Sequence, residues 1–251
     1  MRFAGVSGDF NPLHFDPETA HAAGFDDVVV VGALSASLVI GELGRTHDVS
    51  TLRRYSVRFL APVLIDSTLD VEYGDSPAAD ATAVDVAAAV SVNGHAVMEA
   101  NARFSENAIA LDALPDDFVA LDEPYRWVVE EGAAREFAVA TGQTPHGGRG
   151  SMVSPTFAAT AMRWSGSDRD FVQRLDFDFA RILHGGSTFE YGPLPLRVGE
   201  ELWVTEGHSG RTTVEGRSGT LRMADAHLVI TDEQGTVRTR VTHRIVERAQ
   251  K

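Results

Sequence analysis

The chain has 251 residues, 43% of them hydrophobic, with a formal net charge of −14 and no cysteine. The length suits one large domain or two of ordinary size, and the lack of cysteine excludes disulfides, thiolate metal sites and a cysteine nucleophile. So acidic a surface repels nucleic acid, no stretch approaches the roughly 20 apolar residues of a membrane helix, and no signal-peptide order opens the chain; a cytoplasmic protein with neither nucleic-acid nor membrane partner is expected.

In chain order, a short helix is expected up to about Val6, followed by a polar loop, SGDFNPLH, over residues 7–14. Asp16 is a good N-cap, Pro17 suits the first helical position and Glu18 sits where the helix dipole favours negative charge, so DPETA reads as a helix start. The valine run 28–31 reads as an extended entry into a buried helix from Ala33, apolar nearly all round and closing near Gly41 and Gly44. Strands are expected at 52–60, 68–73, 82–92 and 95–104, the last two joined by an Asn93-Gly94 turn. Residues 107–124, rich in Asp, Pro and Ala, read as a linker. Helices near 131–141 and 155–164 and strands near 189–191, 202–206, 221–231 and 237–246 complete the pattern. Trp127, Trp164 and Trp203 are expected in a core or interface.

The order repeats, and so do the residues. FAGVSGD from Phe3 matches FAVATGQ from Phe137 at an offset of 134, and PVLIDSTL from Pro62 matches PLRVGEEL from Pro195 at an offset of 133. Two matches that keep nearly one offset over such a distance indicate a duplication. A helix followed by antiparallel strands, occurring twice, is an α+β pattern in which a curved sheet wraps each helix.

The 7–14 loop holds the residues that point to chemistry. Gly8 permits a tight turn, Asn11-Pro12 favours an extended or turn conformation, and Asp9 and His14, five residues apart, can converge across it. A carboxylate beside an imidazole is a proton-transfer pair near neutral pH. The same residues also suit a plain capping loop, with an Asx-turn at Asn11.

FAGVSGDFNPLHFDPETA resembles the signature of the MaoC-like hydratase/dehydratase family, which includes (R)-specific enoyl-CoA hydratases; Ser7, Gly8, Asp9, Asn11, Pro12, His14, Asp16 and Ala20 stand where the pattern wants them. The second half, with RILHGGSTFEYGPLPLRVGEELWV, resembles the dehydratase half fused or paired to such domains. The resemblance implies two fused hot-dog domains forming a pseudo-dimer: a catalytic one over 1–108 and a degenerate, non-catalytic one over 122–251. It also implies a coenzyme A or acyl-carrier-protein thioester as substrate, with no further cofactor and no metal. Asp9 and His14 are the implied catalytic residues; Asn11 holds the loop or the water, and Gly32 and Ala33 bind substrate at the start of the central helix, where a free N–H receives the thioester oxygen. Pairing of two pseudo-dimers into a homodimer is compatible with it.

This sequence departs from the family pattern at Val31, where histidine is frequent, at Ile40, where some members carry a serine, and at Asp66-Ser67, where Gly-Asp is usual. The first copy begins almost at the motif, whereas the second carries an extra segment, 123–134, so the first is expected to lack a strand or the chain to start upstream. In the second copy Gln143 falls opposite Asp9 and Gly148 opposite His14, with His146 two positions short. His184, before Gly185-Gly186, reads as a residue of the fold. Arg163, Arg181 and Arg197 read more readily as surface ion-pair partners than as contacts to coenzyme phosphates. Two competing functions remain at this level: a hot-dog acyl-CoA thioesterase, which needs a helical carboxylate where only Asp26 and Asp27 precede the helix and Glu42 ends it, and a non-catalytic thioester-binding partner subunit.

Overall fold

A computed structural model describes residues 2–77, 82–108, 111, 113–145, 147–165, 168–216 and 219–248. The first half runs α1 (Arg2–Ser7), α2 (Pro17–Ala22), α3 (Gly32–Leu43), β1 (Leu52–Phe59), β2 (Asp70–Pro77), β3 (Ala83–Val92) and β4 (His95–Ser105). Two short strands, β5 (Val119–Ala120) and β6 (Tyr125–Val128), lie in or just beyond the expected linker. The second half continues with α4 (Glu131–Ala140), a 3-10 segment (Pro155–Ser165), α5 (Asp168–Arg174), β7 (Ile182–Tyr191), β8 (Glu201–Gly216), β9 (Gly219–Thr231) and β10 (Val237–Glu247). Among the described residues no helix is long and apolar enough to cross a membrane.

All ten strands join one antiparallel sheet of order β2-β3-β4-β1-β7-β10-β9-β8-β5, with β6 also on β8. From its outer edge inward the first half reads β2-β3-β4-β1, and the second half reads β8-β9-β10-β7 in the same way. The duplication legible in the sequence is therefore a duplication of topology, and the copies meet where β1 pairs β7. Phe3 and Phe137, equivalent by the 134-residue offset, face each other with ring centroids 5.7 Å apart, packing α1 on α4.

The join explains a glycine. Gly186 pairs with Arg58, and a Cβ there meets the Val57 carbonyl oxygen at 2.5 Å, so only glycine lets the two copies approach this closely. The Gly185-Gly186 pair also hid the strand: 189–191 was expected, whereas β7 begins at Ile182, because the neighbouring strands and not side-chain propensity hold this segment extended. On the sheet face Glu190 bridges the copies, accepting from Arg54 Nη1 at 3.1 Å and from Arg240 Nη2 at 2.6 Å.

Helix α3 is enclosed as its composition implies. Val39, Ile40 and Leu43 are buried, Tyr55 donates to the Ala36 carbonyl at 2.8 Å, and Gln143 of the second half donates to the Ser37 carbonyl at 3.2 Å. The helix expected at 155–164 is a 3-10 segment instead. Side chains engage its carbonyls: from outside, Tyr191 donates to Pro155 O and Tyr125 to Ala161 O, and from within, the Thr160 hydroxyl donates to Phe157 O. Such competition weakens the α-helical ladder. Trp127 is fully buried against Phe157, Trp203 is 39% exposed and so not a core residue, and the Trp164 side chain lies outside the described part.

Gly186→Ala should therefore destabilise the protein by roughly 1–3 kcal/mol through overpacking at the join. Urea denaturation measures this; an unchanged midpoint would show that the strands can part locally at no cost.

Candidate active site

The loop between α1 and α2 is built from nested short-range bonds. Gly8 takes φ +82°, closing α1. The Asp9 carboxylate accepts from Asn11 N at 3.2 Å, and the Asn11 side chain accepts from Leu13 N at 3.2 Å, an Asx-type cap on the short turn Pro12–His14. Asn11 thus caps the loop, and it also lines the cavity described below. Asp16 caps α2 through Glu18 N at 3.1 Å, as its position suggested.

These bonds bring Asp9 and His14 together. His14 Nε2 lies 3.5 Å from Asp9 Oδ2, and the two side chains are 15% and 22% exposed. His14 Nδ1 lies 2.7 Å from the Val29 carbonyl oxygen. A carbonyl only accepts, so Nδ1 carries the hydrogen and the neutral ring presents a bare Nε2 toward Asp9. Two acceptors at 3.5 Å do not satisfy each other; the pair is arranged to share a third molecule or a proton.

Asp9, Asn11, His14, Gly32 and Ala33 all line one cavity of about 390 Å³. Val31 precedes α3 without a side-chain cap, so the first N–H groups of the helix, Gly32 and Ala33, meet no acceptor among the described residues. They face the cavity, where a helix N-terminus favours negative charge. Asp9 is the one carboxylate among the described cavity-lining residues; Glu42 points outward to Arg45 at 3.2 Å.

The far wall comes from the second half: Phe137, Met162, Phe171, Val172, Phe179 and Ile182 line it. Gln143, opposite Asp9 in the repeat, is spent on the Ser37 carbonyl. His146 lies outside the described residues, as does the Arg163 side chain. Arg181 pairs with Asp178 at 3.0 Å and Glu247 at 2.7 Å, as the ion-pair reading expects, whereas the Arg197 guanidinium donates to the Gly150 carbonyl at 2.9 Å and not to a carboxylate.

Sequence reasoning missed one polar group of the wall. His184, read as a residue of the fold, lines the cavity, as does His243. Burial pushes the His184 imidazole down to about 4, with the Asp9 carboxylate opposing this, and pushes His243 down to about 3. The signal was weak: one histidine beside two glycines, and another 59 residues on in a different strand.

Each half of the chain also matches a family model. The family model for a MaoC-like domain matches residues 1–95, and that for a FAS1-like dehydratase domain region matches residues 119–240. The (R)-specific enoyl-CoA hydratase of Aeromonas caviae is 36% identical over 107 residues, 39% of this chain and 80% of that one. The 3-hydroxyacyl-thioester dehydratase X of Mycobacterium tuberculosis is 40% identical over 76 residues, 30% of this chain but only 26% of that one. A solved Mycobacterium tuberculosis structure with a double hotdog fold superimposes with a TM-score of 0.60 at 11% identity, covering 98% of this chain and 90% of that one.

The two buried histidines set a pH dependence. Unfolded, each takes up a proton below about 6.5; folded, they refuse it until about 4 and about 3. Their contribution is whole above 6.5 and is lost as the pH falls toward those values, at about 1.4 kcal/mol per pH unit for each withheld proton. His243→Gln should lose less stability between pH 7 and pH 5 than wild type in paired urea titrations. Equal losses would mean the ring is protonated without penalty.

Proposed function

The chain belongs to the MaoC-like hydratase/dehydratase family, and from that premise we propose that it catalyses the reversible, (R)-specific addition of water to trans-2-enoyl thioesters of coenzyme A or acyl-carrier protein. The observation that carries this reading is the Asp9–His14 pair at 3.5 Å, in the wall of an apolar cavity and beside a helix start with free N–H groups.

Hydration places a hydroxyl on C3 and a proton on C2, with negative charge building on the thioester oxygen in between. Asp9 and His14 hold the water between them; one removes its proton as the oxygen attacks C3, and a proton is delivered to C2. With Nδ1 committed to Val29 O, the nitrogen left bare in the neutral ring is Nε2, the one that faces Asp9 and can accept. The Gly32 and Ala33 N–H groups receive the developing oxyanion, a role typically worth about 3 kcal/mol per donor. Positioned acid–base groups add roughly 10²–10⁴-fold. Oxidation state is unchanged throughout, so the reading calls on no redox cofactor. The apolar wall from the second half takes the acyl chain, and Gln143 and Gly148 at the dyad-equivalent positions leave that half without its own site.

The thioesterase alternative wants a carboxylate on the central helix facing the carbonyl, and the cavity-lining part of α3 offers none among the described residues.

Asp9→Asn and His14→Ala should each lower hydration of crotonyl-coenzyme A by roughly 10²-fold or more while the far-UV spectrum and melting temperature stay near wild type. The assay is loss of enoyl-thioester absorbance with chiral analysis of the product. Full turnover in either variant sinks the reading, as does release of free thiol in place of hydration.

A further inference from the structure

The second-half wall is mostly apolar; besides Thr156 and Thr160, its polar side chains are His184 and His243, joined behind the wall by Ser187. Ser187 Oγ lies 2.8 Å from His184 Nε2 and 2.8 Å from His243 Nδ1. A hydroxyl has one hydrogen, so it donates to one ring and accepts from the other. One of the two facing nitrogens is therefore protonated and the other bare, whichever way the chain runs. Both rings lie deep in the protein, yet each keeps some accessible surface, and both line the cavity.

Two contacts place this group near the start of α3. The Phe59 ring packs edge-on against His184 at 4.9 Å. The same ring covers Gly32, where a Cβ would sit 3.0 Å from it. His184 is thus one phenyl ring away from the free N–H groups of α3. It also feels the charges of Asp9 and of His14, in opposite senses. Its ring is uncharged at neutral pH, so it neither competes with Asp9 for a proton nor repels a protonated His14.

We propose that His184 is a third catalytic group, supplied by the second half, whose imidazole hydrogen-bonds the reacting water from the side opposite Asp9 and His14, with Ser187 and His243 fixing its donor or acceptor state. In the reverse direction the same nitrogen meets the departing hydroxyl. The proposal rests on the hydratase reading above, and it makes the half without a dyad a participant in the chemistry.

The test is steady-state enoyl-coenzyme A hydration by the full chain and its variants, with melting temperatures in parallel. His184→Leu, which keeps bulk but cannot hydrogen-bond, should lower kcat on the order of 10–100-fold and leave KM within about threefold. His184→Gln, which restores a hydrogen-bonding group, should recover most of the loss. Ser187→Ala should lower kcat about 3–10-fold, and it carries the test if His184→Leu does not fold. Wild-type kcat in folded His184→Leu, recovery no better with glutamine than with leucine, or an unaffected Ser187→Ala overturns the role of His184 alone. A wild-type protein that hydrates no enoyl thioester of any chain length overturns that role together with the hydratase reading.

Discussion

The antiparallel pairing of β1 with β7 is the constraint on which the rest depends. It turns two four-stranded halves into one sheet, and the close approach at Gly186 leaves little freedom in how they meet. Because the halves run in opposite directions across the join, the start of α3 in the first faces the apolar wall of the second. The cavity is the space this arrangement leaves unfilled. Neither half encloses it alone: the dyad and helix N-terminus come from the first, and Phe137, Phe171 and Phe179 from the second.

Around this cavity, polarity is rationed. Backbone N–H groups at the start of α3, one carboxylate, a few ring nitrogens and a small number of hydroxyl and amide groups are set into hydrocarbon, where hydrogen bonds act with little competition from water. The chain carries a net charge of −14, yet the described cavity wall holds a single carboxylate, so the global field says little about the site. Buried charge is kept elsewhere, on the sheet face, where Glu190 ties Arg54 to Arg240 across the two copies. Replacing such a network by apolar residues often costs little stability.

Much of this was legible in the chain. Most bonds of residues 7–14 lie within a few positions of one another, so the turn that brings Asp9 and His14 together is largely local, although Val29 holds the His14 ring from 15 residues away. The α3 segment, apolar on every side, announced its burial. Strands β3 and β4 were legible because side-chain alternation and the Asn93-Gly94 turn act over short range. The strand β7 and the 3-10 segment were not, because their conformations are imposed by partners distant in sequence: β1 and β10 for the first, Tyr125 and Tyr191 for the second.

Sequence by itself determined the loop that holds the dyad and the helix that follows it, since each is written in residues only a few positions apart, and the duplication and α+β class, since the same local patterns recur at one offset. Tertiary structure alone decided that the second half forms the other wall of the site, that Gln143 braces α3, and that His184, Ser187 and His243 come together. Those contacts join strands and helices separated by up to 106 residues, and no local pattern encodes which side chains a sheet will lay side by side.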